Sequence, residues 1–152
     1  MRSALLLLAS SFLLSAASPI PLLLLDGEQG GPYHAWQQTT PLLKKMLDET
    51  GLFAVTVLTA PPKGADFSTF QPDFSRYKAV VLNYDAPDER WPDSLKASFE
   101  KYVSSGGGVV IFHAADNAFP QWKAYNLMIG IGGWRGRTEK DGPYWFYQDN
   151  QL

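Results

Sequence analysis

SSGGGVVIFHAADNAF, residues 104–119, is the stretch on which the reading of the fold turns. Ser104, Ser105, Gly106 and Gly107 read as a helix exit, where positive φ meets no Cβ clash. Residues 108–112 are then an unbroken apolar run of β-branched and aromatic side chains. That is the pattern of a strand buried on both faces, as in a parallel sheet covered by helices. Polar residues return at once with His113, and Asp116 and Asn117 follow before a new helical pattern. A His, an Asp and an Asn thus fall at the carboxyl end of a central strand, where open α/β sheets hold their ligands. The glycines precede a strand instead of joining a strand to a helix, so they are not a phosphate cradle or a dinucleotide fingerprint.

The alternation continues outward on both sides. Upstream, residues 20–25 read as a first buried strand ending at Asp26. A Gly-rich loop, GEQGGPYHAWQQ, follows with His34 and Trp36. Thr39 and Thr40 then offer an N-cap with Pro41 at the first helical position, and Leu42, Leu43, Met46 and Leu47 form an apolar stripe that Gly51 ends. Residues 52–58 read as a second strand. Residues 60–77 lack a period and form a long connection with room for one short helical turn. KAVVLNYD, residues 78–85, is a third strand, and Trp91-Pro92-Asp93 opens a helix striped by Leu95, Phe99, Tyr102 and Val103. Downstream, a helix starts near Pro120, with Trp122 and Tyr125 at core spacing. The sum is an α/β chain with a parallel sheet and helices on both faces. Four strands are few for a doubly wound domain, and the strand-like run at 144–147 would leave an apolar edge unpaired. The chain therefore reads as the N-terminal portion of a longer domain.

Residues 1–17 stand apart from that pattern. Arg2, the apolar run 5–14 and Ser15-Ala16-Ala17 form a signal peptide with a cut before Ser18. Pro19 and Pro21 end the run short of the roughly 20 residues a spanning helix needs. The expectation is a secreted or periplasmic protein, not membrane-spanning after processing, with a domain over 18–152. Loss of Arg2 takes the basic residues from 13 to 12 against 15 acidic ones, a net charge of −3. With no basic tract, nucleic acid is not an expected partner. Cysteine is absent, which excludes disulfides, thiol-ligated metals and a Cys nucleophile.

Four segments together carry a family resemblance: YHAWQQTTP (33–41), VLNYD (81–85), GGGVVIFHAADNAFPQWKAYN (106–126) and IGGWRGR (131–137). In this order they resemble the ThuA-like, trehalose-utilisation family. The resemblance implies a flavodoxin-like sheet of the class I glutamine amidotransferase-like superfamily, and a link to sugar and glycoside metabolism. Family domains usually run well beyond residue 152. In amidotransferases of this architecture the strand-to-helix turn presents a nucleophilic Cys. Here that turn carries His113, so glutamine hydrolysis through a thioester is excluded. No G-x-S-x-G elbow supplies a Ser in its place.

In a 2-1-3-4 strand order, the loops after strands one, three and four open on one crevice. They bring together Asp26, Glu28, His34 and Trp36; Asn83, Tyr84, Asp85 and Asp88; and His113, Asp116 and Asn117. This set suits a small-molecule sugar or glycoside: amides, carboxylates and Arg for hydroxyls, flat aromatic faces for pyranose C–H groups. Trp36, Tyr84, Asp85, Asn117, Trp134 and Arg135 are the expected substrate contacts. His34 and His113, the two histidines of the chain, are the expected catalytic groups, either as a general base or, with a carboxylate, as ligands of a divalent metal. Asp116 either joins them in catalysis or caps the next helix. Strands sit about 4.8 Å apart, which puts both histidines within roughly 15 Å of each other if they share a site. The alternative is a non-catalytic carbohydrate-binding or interaction module. The sequence leaves the sugar, the reaction and the oligomeric state open.

Overall fold

A computed structural model of the chain describes residues 18–29, 31–134 and 136–141. The expected signal peptide over 1–17, Arg135 and the strand-like run expected at 144–147 lie outside the described residues. Within them runs β1 (Ile20–Asp26), α1 (Trp36–Glu49), β2 (Phe53–Thr59), β3 (Ala79–Leu82), α2 (Asp93–Ser104), β4 (Gly108–Ile111) and α3 (Lys123–Ile129). The strands form one parallel sheet in the order β2-β1-β3-β4. Leu22 stands beside Val55 of β2 and Ala79 of β3, and Val81 beside Val110 of β4. The long connection after β2 holds one short 3-10 turn, Phe74–Arg76.

Side-chain alternation splits the core in two. Leu23, Leu25, Val80 and Leu82 face α2 and α3, where Phe74, Tyr84, Trp91, Phe99, Phe119, Trp122 and Tyr125 interlock. Leu22, Leu24 and Val81 face α1, which covers them with Leu43 and Leu47. β1 is the strand buried on both faces. β4 is not: among the described residues it forms the sheet edge, and Val110 is 51% exposed. The expectation that residues 108–112 are buried on both faces is corrected here. An unbroken apolar run states what a strand is made of but not how many neighbours it has.

The glycines before β4 behave as expected and show why. Gly106 N–H donates to the Val103 carbonyl and Gly107 N–H to the Tyr102 carbonyl, the paired bonds of a Schellman helix end, with Gly106 at φ +91°. A Cβ on Gly107 would lie 2.3 Å from the Tyr102 ring, whose hydroxyl donates to the Gly108 carbonyl at 2.9 Å.

Helix α1 begins earlier than its sequence suggests. Its N-cap is Ala35, with no side-chain capping bond, and Pro41 sits inside the helix. The Gln29 side chain provides what a capping Thr would have, its Oε1 accepting from Trp36 N–H at 3.2 Å. Thr39 and Thr40 are thereby free for another role: both hydroxyls accept from the Asn83 amide of the β3 exit, at 2.8 and 2.9 Å.

Candidate functional site

The exits of β1, β3 and β4 meet at the carboxyl edge. β4 gives way at Phe112 to a tight 3-10 turn, His113–Asn117, and His113 opens it at φ +46°. For a residue with a Cβ that conformation costs about 1–3 kcal/mol. It turns the imidazole out of the sheet toward the loop after β1. That loop is braced by Gln29, whose Nε2 donates to the Gly31 carbonyl while its Oε1 holds the start of α1. His34 is presented between these two anchor points.

The two imidazoles meet, with Nδ1 of His34 and Nδ1 of His113 lying 3.2 Å apart and the ring centroids 4.7 Å apart at 51°. The separation is well inside the expected 15 Å. A hydrogen bond between two Nδ1 atoms requires opposite roles, one nitrogen carrying the proton and the other presenting a lone pair. A neutral bond of this kind contributes a net 0.5–1.5 kcal/mol or about that, of the same order as the backbone strain at His113. Around the pair lies a cavity of about 140 Å³ lined by Tyr33, His34, Thr39, Asn83, Phe112, His113 and Ala114. Small-molecule sites commonly span roughly 300–1,000 Å³, so this cavity is too small to enclose a ligand of that size.

Asp116 belongs to the same neighbourhood. Burial pushes its carboxyl above the usual carboxylate range, while His113 and, more weakly, His34 pull it back down. It does not cap α3, whose N-cap is Trp122. Its carbonyl instead accepts from Gly133 N–H at 2.8 Å, and a Cβ on Gly133 would lie 2.4 Å from its carboxylate. Asp85 stands close by: Asp116 and Asp85 both add to the upward push that burial gives the Tyr125 phenol. The Tyr125 hydroxyl donates to the Ala115 carbonyl at 2.7 Å, bracing the turn that carries His113.

The other expected contacts fare unevenly. Tyr84 is 1% exposed and packs between Trp91 and Phe119, so its ring has no face for a ligand. It sits on the apolar side of the alternation, one residue past Asn83, and this removes it from the site. Its hydroxyl donates to Glu28, and Glu28 is held by the Arg90 guanidinium through a second contact at 2.9 Å. That hydrogen bond raises Arg90 above its ordinary value, and Glu28 is committed to structure. Trp36 and Asn117 are half-exposed at the same edge. Trp134 is half-exposed too, but it folds back over Gly132, with Arg137 stacked on its ring at 5.3 Å. Arg135 lies outside the described residues. Two further polar residues of the cavity, within the resemblance segment 33–41, were not among the expected contacts. Tyr33, 90% exposed, and Thr39 become visible as site residues only once α1 is seen to start at Trp36.

Comparison with known proteins fits this arrangement. The profile of the ThuA family, described as trehalose utilisation, matches residues 22–150. The chain belongs to the ThuA family. A ThuA-like protein from Parabacteroides merdae ATCC 43184, solved by crystallography, is 42% identical and superposes with a TM-score of 0.77 over 88% of this chain. A second, from Bacteroides uniformis ATCC 8492, is 21% identical with a TM-score of 0.54 over 80% of the chain, a likeness of fold. This ThuA chain spans 46% of the length of each of those two proteins. No curated protein sequence matches it. The α/β sheet in the order β2-β1-β3-β4 is thus a ThuA-type, flavodoxin-like arrangement. No described helix is long and apolar enough to cross a membrane.

Proposed function

We propose that the carboxyl-edge crevice binds a sugar or glycoside and that His34 and His113 move a proton on it. The observation that carries this reading is the pair itself. Two residues 79 positions apart bring their Nδ1 atoms to 3.2 Å at the carboxyl edge of the sheet, a contact that pairs one N–H donor with one lone pair. A pair in that state both gives and accepts, which is what general acid–base chemistry on a hydroxyl requires. The Asp116 carboxylate, close enough to feel both rings, stabilises whichever one is charged. Tyr33 and Trp36 offer apolar faces, and Asn83 and Asn117 offer amides, to a sugar ring resting over the cavity. With no cysteine in the chain, the chemistry is not that of a thioester amidotransferase.

The test is a panel of glycosides and oxidised glycosides assayed against the wild type, His34→Ala and His113→Ala. An acid–base role predicts at least a hundredfold loss of turnover in either variant, with sugar affinity changed less than about threefold. Binding without turnover in the wild type would make this a carbohydrate-binding module. Absence of both across the panel would end the sugar reading. The chain is also proposed to be exported, on the strength of Arg2, the apolar run 5–14 and Ser15-Ala16-Ala17. N-terminal sequencing of the native protein should begin at or near Ser18; a start at Met1 or Arg2 would refute this.

A further inference from the structure

The cavity at the histidines, about 140 Å³, is too small to enclose a typical small-molecule ligand. A larger one, of about 310 Å³, opens between the start of α3 and residues 137–141. One sign of charge dominates it: Lys123, Arg137 and Lys140 line it against a single carboxylate, Asp141. The chain as a whole carries a net charge of −2, so this gathering of cations runs against the background. We infer that the cavity holds an anionic group, carboxylate or phosphate, and that the ligand of the carboxyl edge is an acidic sugar. The inference rests on the sugar reading and names its substrate class.

The cations are not spent on neighbours. Elsewhere Lys44 lies on Asp48, Lys45 on Glu49 and Arg90 on Glu28. Among the described residues, Lys123 and Lys140 form no such ion pair. Asp141 is already committed, its Oδ2 accepting from the backbone N–H and the hydroxyl of Thr138 at 2.8 and 3.1 Å. Arg137 is half-buried with its guanidinium 5.3 Å from the centre of the Trp134 ring, which holds its charge in place. An anion among these groups gains charge-assisted hydrogen bonds that a neutral sugar does not. Pro120 and the exposed Leu127 add an apolar wall that suits the C–H face of a pyranose. The cavity also stands next to the histidine site. Asp116, whose carboxyl feels both imidazoles, accepts at its carbonyl from Gly133 N–H. Asn126 lines the basic cavity and packs against Gly132, where a Cβ would lie 2.8 Å from its Oδ1. The two glycines are consecutive, with Cα atoms about 3.8 Å apart. A glycine pair thus separates the two places, and one ligand can set a hydroxyl at the histidines and its charge among the cations.

The test measures a preference. Affinities of the full chain for methyl glucoside, methyl glucuronide and glucose 6-phosphate are compared by calorimetry in the wild type, Lys123→Gln, Lys140→Gln and the double variant. At least one acidic sugar should bind about tenfold more tightly than the neutral one. Each single substitution should cut that ratio about threefold, as an exposed charge pair would, and the double variant should bring it close to one. Raising the salt from 0.1 to 1 M, which shortens the screening length from about 10 to about 3 Å, should erode the same ratio in the wild type. Glucuronide presents a carboxylate and glucose 6-phosphate a phosphate, so the sugar that shows the preference identifies the anion. Both lysines are exposed, and melting curves of the variants report that they fold. Equal binding of neutral and acidic sugars, or a preference that survives in the folded double variant, would overturn the inference and leave the sugar reading in place. Absence of binding by all three sugars would remove both.

Discussion

The two faces of the sheet are built on different principles. Toward α2 and α3 the chain packs rings on rings: Phe99 alone meets Phe74, Trp91, Tyr102 and Trp122 with centroids 5.2–6.2 Å apart. Toward α1 just Leu22, Leu24 and Val81 are buried, and Leu43, Leu47 and Phe112 remain partly exposed. That second face is held in part by polar contacts, the Asn83 amide reaching two threonine hydroxyls of α1. The paired histidines and their cavity lie on this lightly packed side, beside Thr39 and Asn83. Dense apolar packing fixes the frame, and hydrogen bonds across a thinner layer hold the part that carries the paired histidines.

The sharpest way to break this comparison is to cut equal chemistry from the two faces. Leu95→Ala removes a buried leucine of α2 from the aromatic face and should cost about 2–5 kcal/mol. Leu47→Ala on α1 should cost about 1–2 kcal/mol, because part of that side chain already meets water. Urea denaturation of both variants gives the two numbers directly. Equal losses would mean that the α1 face is as tightly packed as the other and that the contrast is only apparent.

Why was so much of this visible in the sequence? Parallel strands write themselves as apolar runs that stop abruptly, and the stops at Asp26, Asn83 and His113 marked the carboxyl edge. Once the strand order is set, topology places His34 and His113 on one edge within roughly 15 Å; their contact at 3.2 Å depends on the turn at His113 and the Gln29-braced loop. The failures have a common physical cause, which is that side-chain partners from distant segments are not written locally. Pro41 looked like a helix start because the capping group, Gln29, lies seven residues before Trp36 in a loop. Tyr84 looked like a sugar platform because its type fits; its burial depends on Trp91 and Phe119, which arrive later in the chain. β4 looked central because composition records hydrophobicity and not neighbours. Glu28 looked free because Arg90, its partner, is 62 residues away.

A gentler test asks whether the hydrogen bonds of the α1 face carry the weight assigned to them. Asn83 is buried at the exit of β3, and its Nδ2 donates to Thr39 Oγ1 and Thr40 Oγ1. Asn83→Ala removes both bonds and leaves the buried Thr40 hydroxyl without that donor, so a loss of about 1–3 kcal/mol is expected. Part of that loss would be the side chain's own packing, which a double-mutant cycle separates. Combined with Thr40→Val, which keeps the shape and deletes the oxygen, the cycle should show a coupling of about 0.5–1.5 kcal/mol. Leu47→Ala serves as the control, since it thins the same face without touching the bonds and should add to Asn83→Ala with little coupling. The histidine pair provides the second readout. If Asn83 anchors α1, and α1 in turn anchors the loop bearing His34, the Asn83→Ala protein should show altered imidazole resonances for His34 in NMR even where it stays fully folded. A zero coupling energy together with unchanged resonances would mean that α1 is seated by its leucines alone, and that the two faces differ in degree and not in kind.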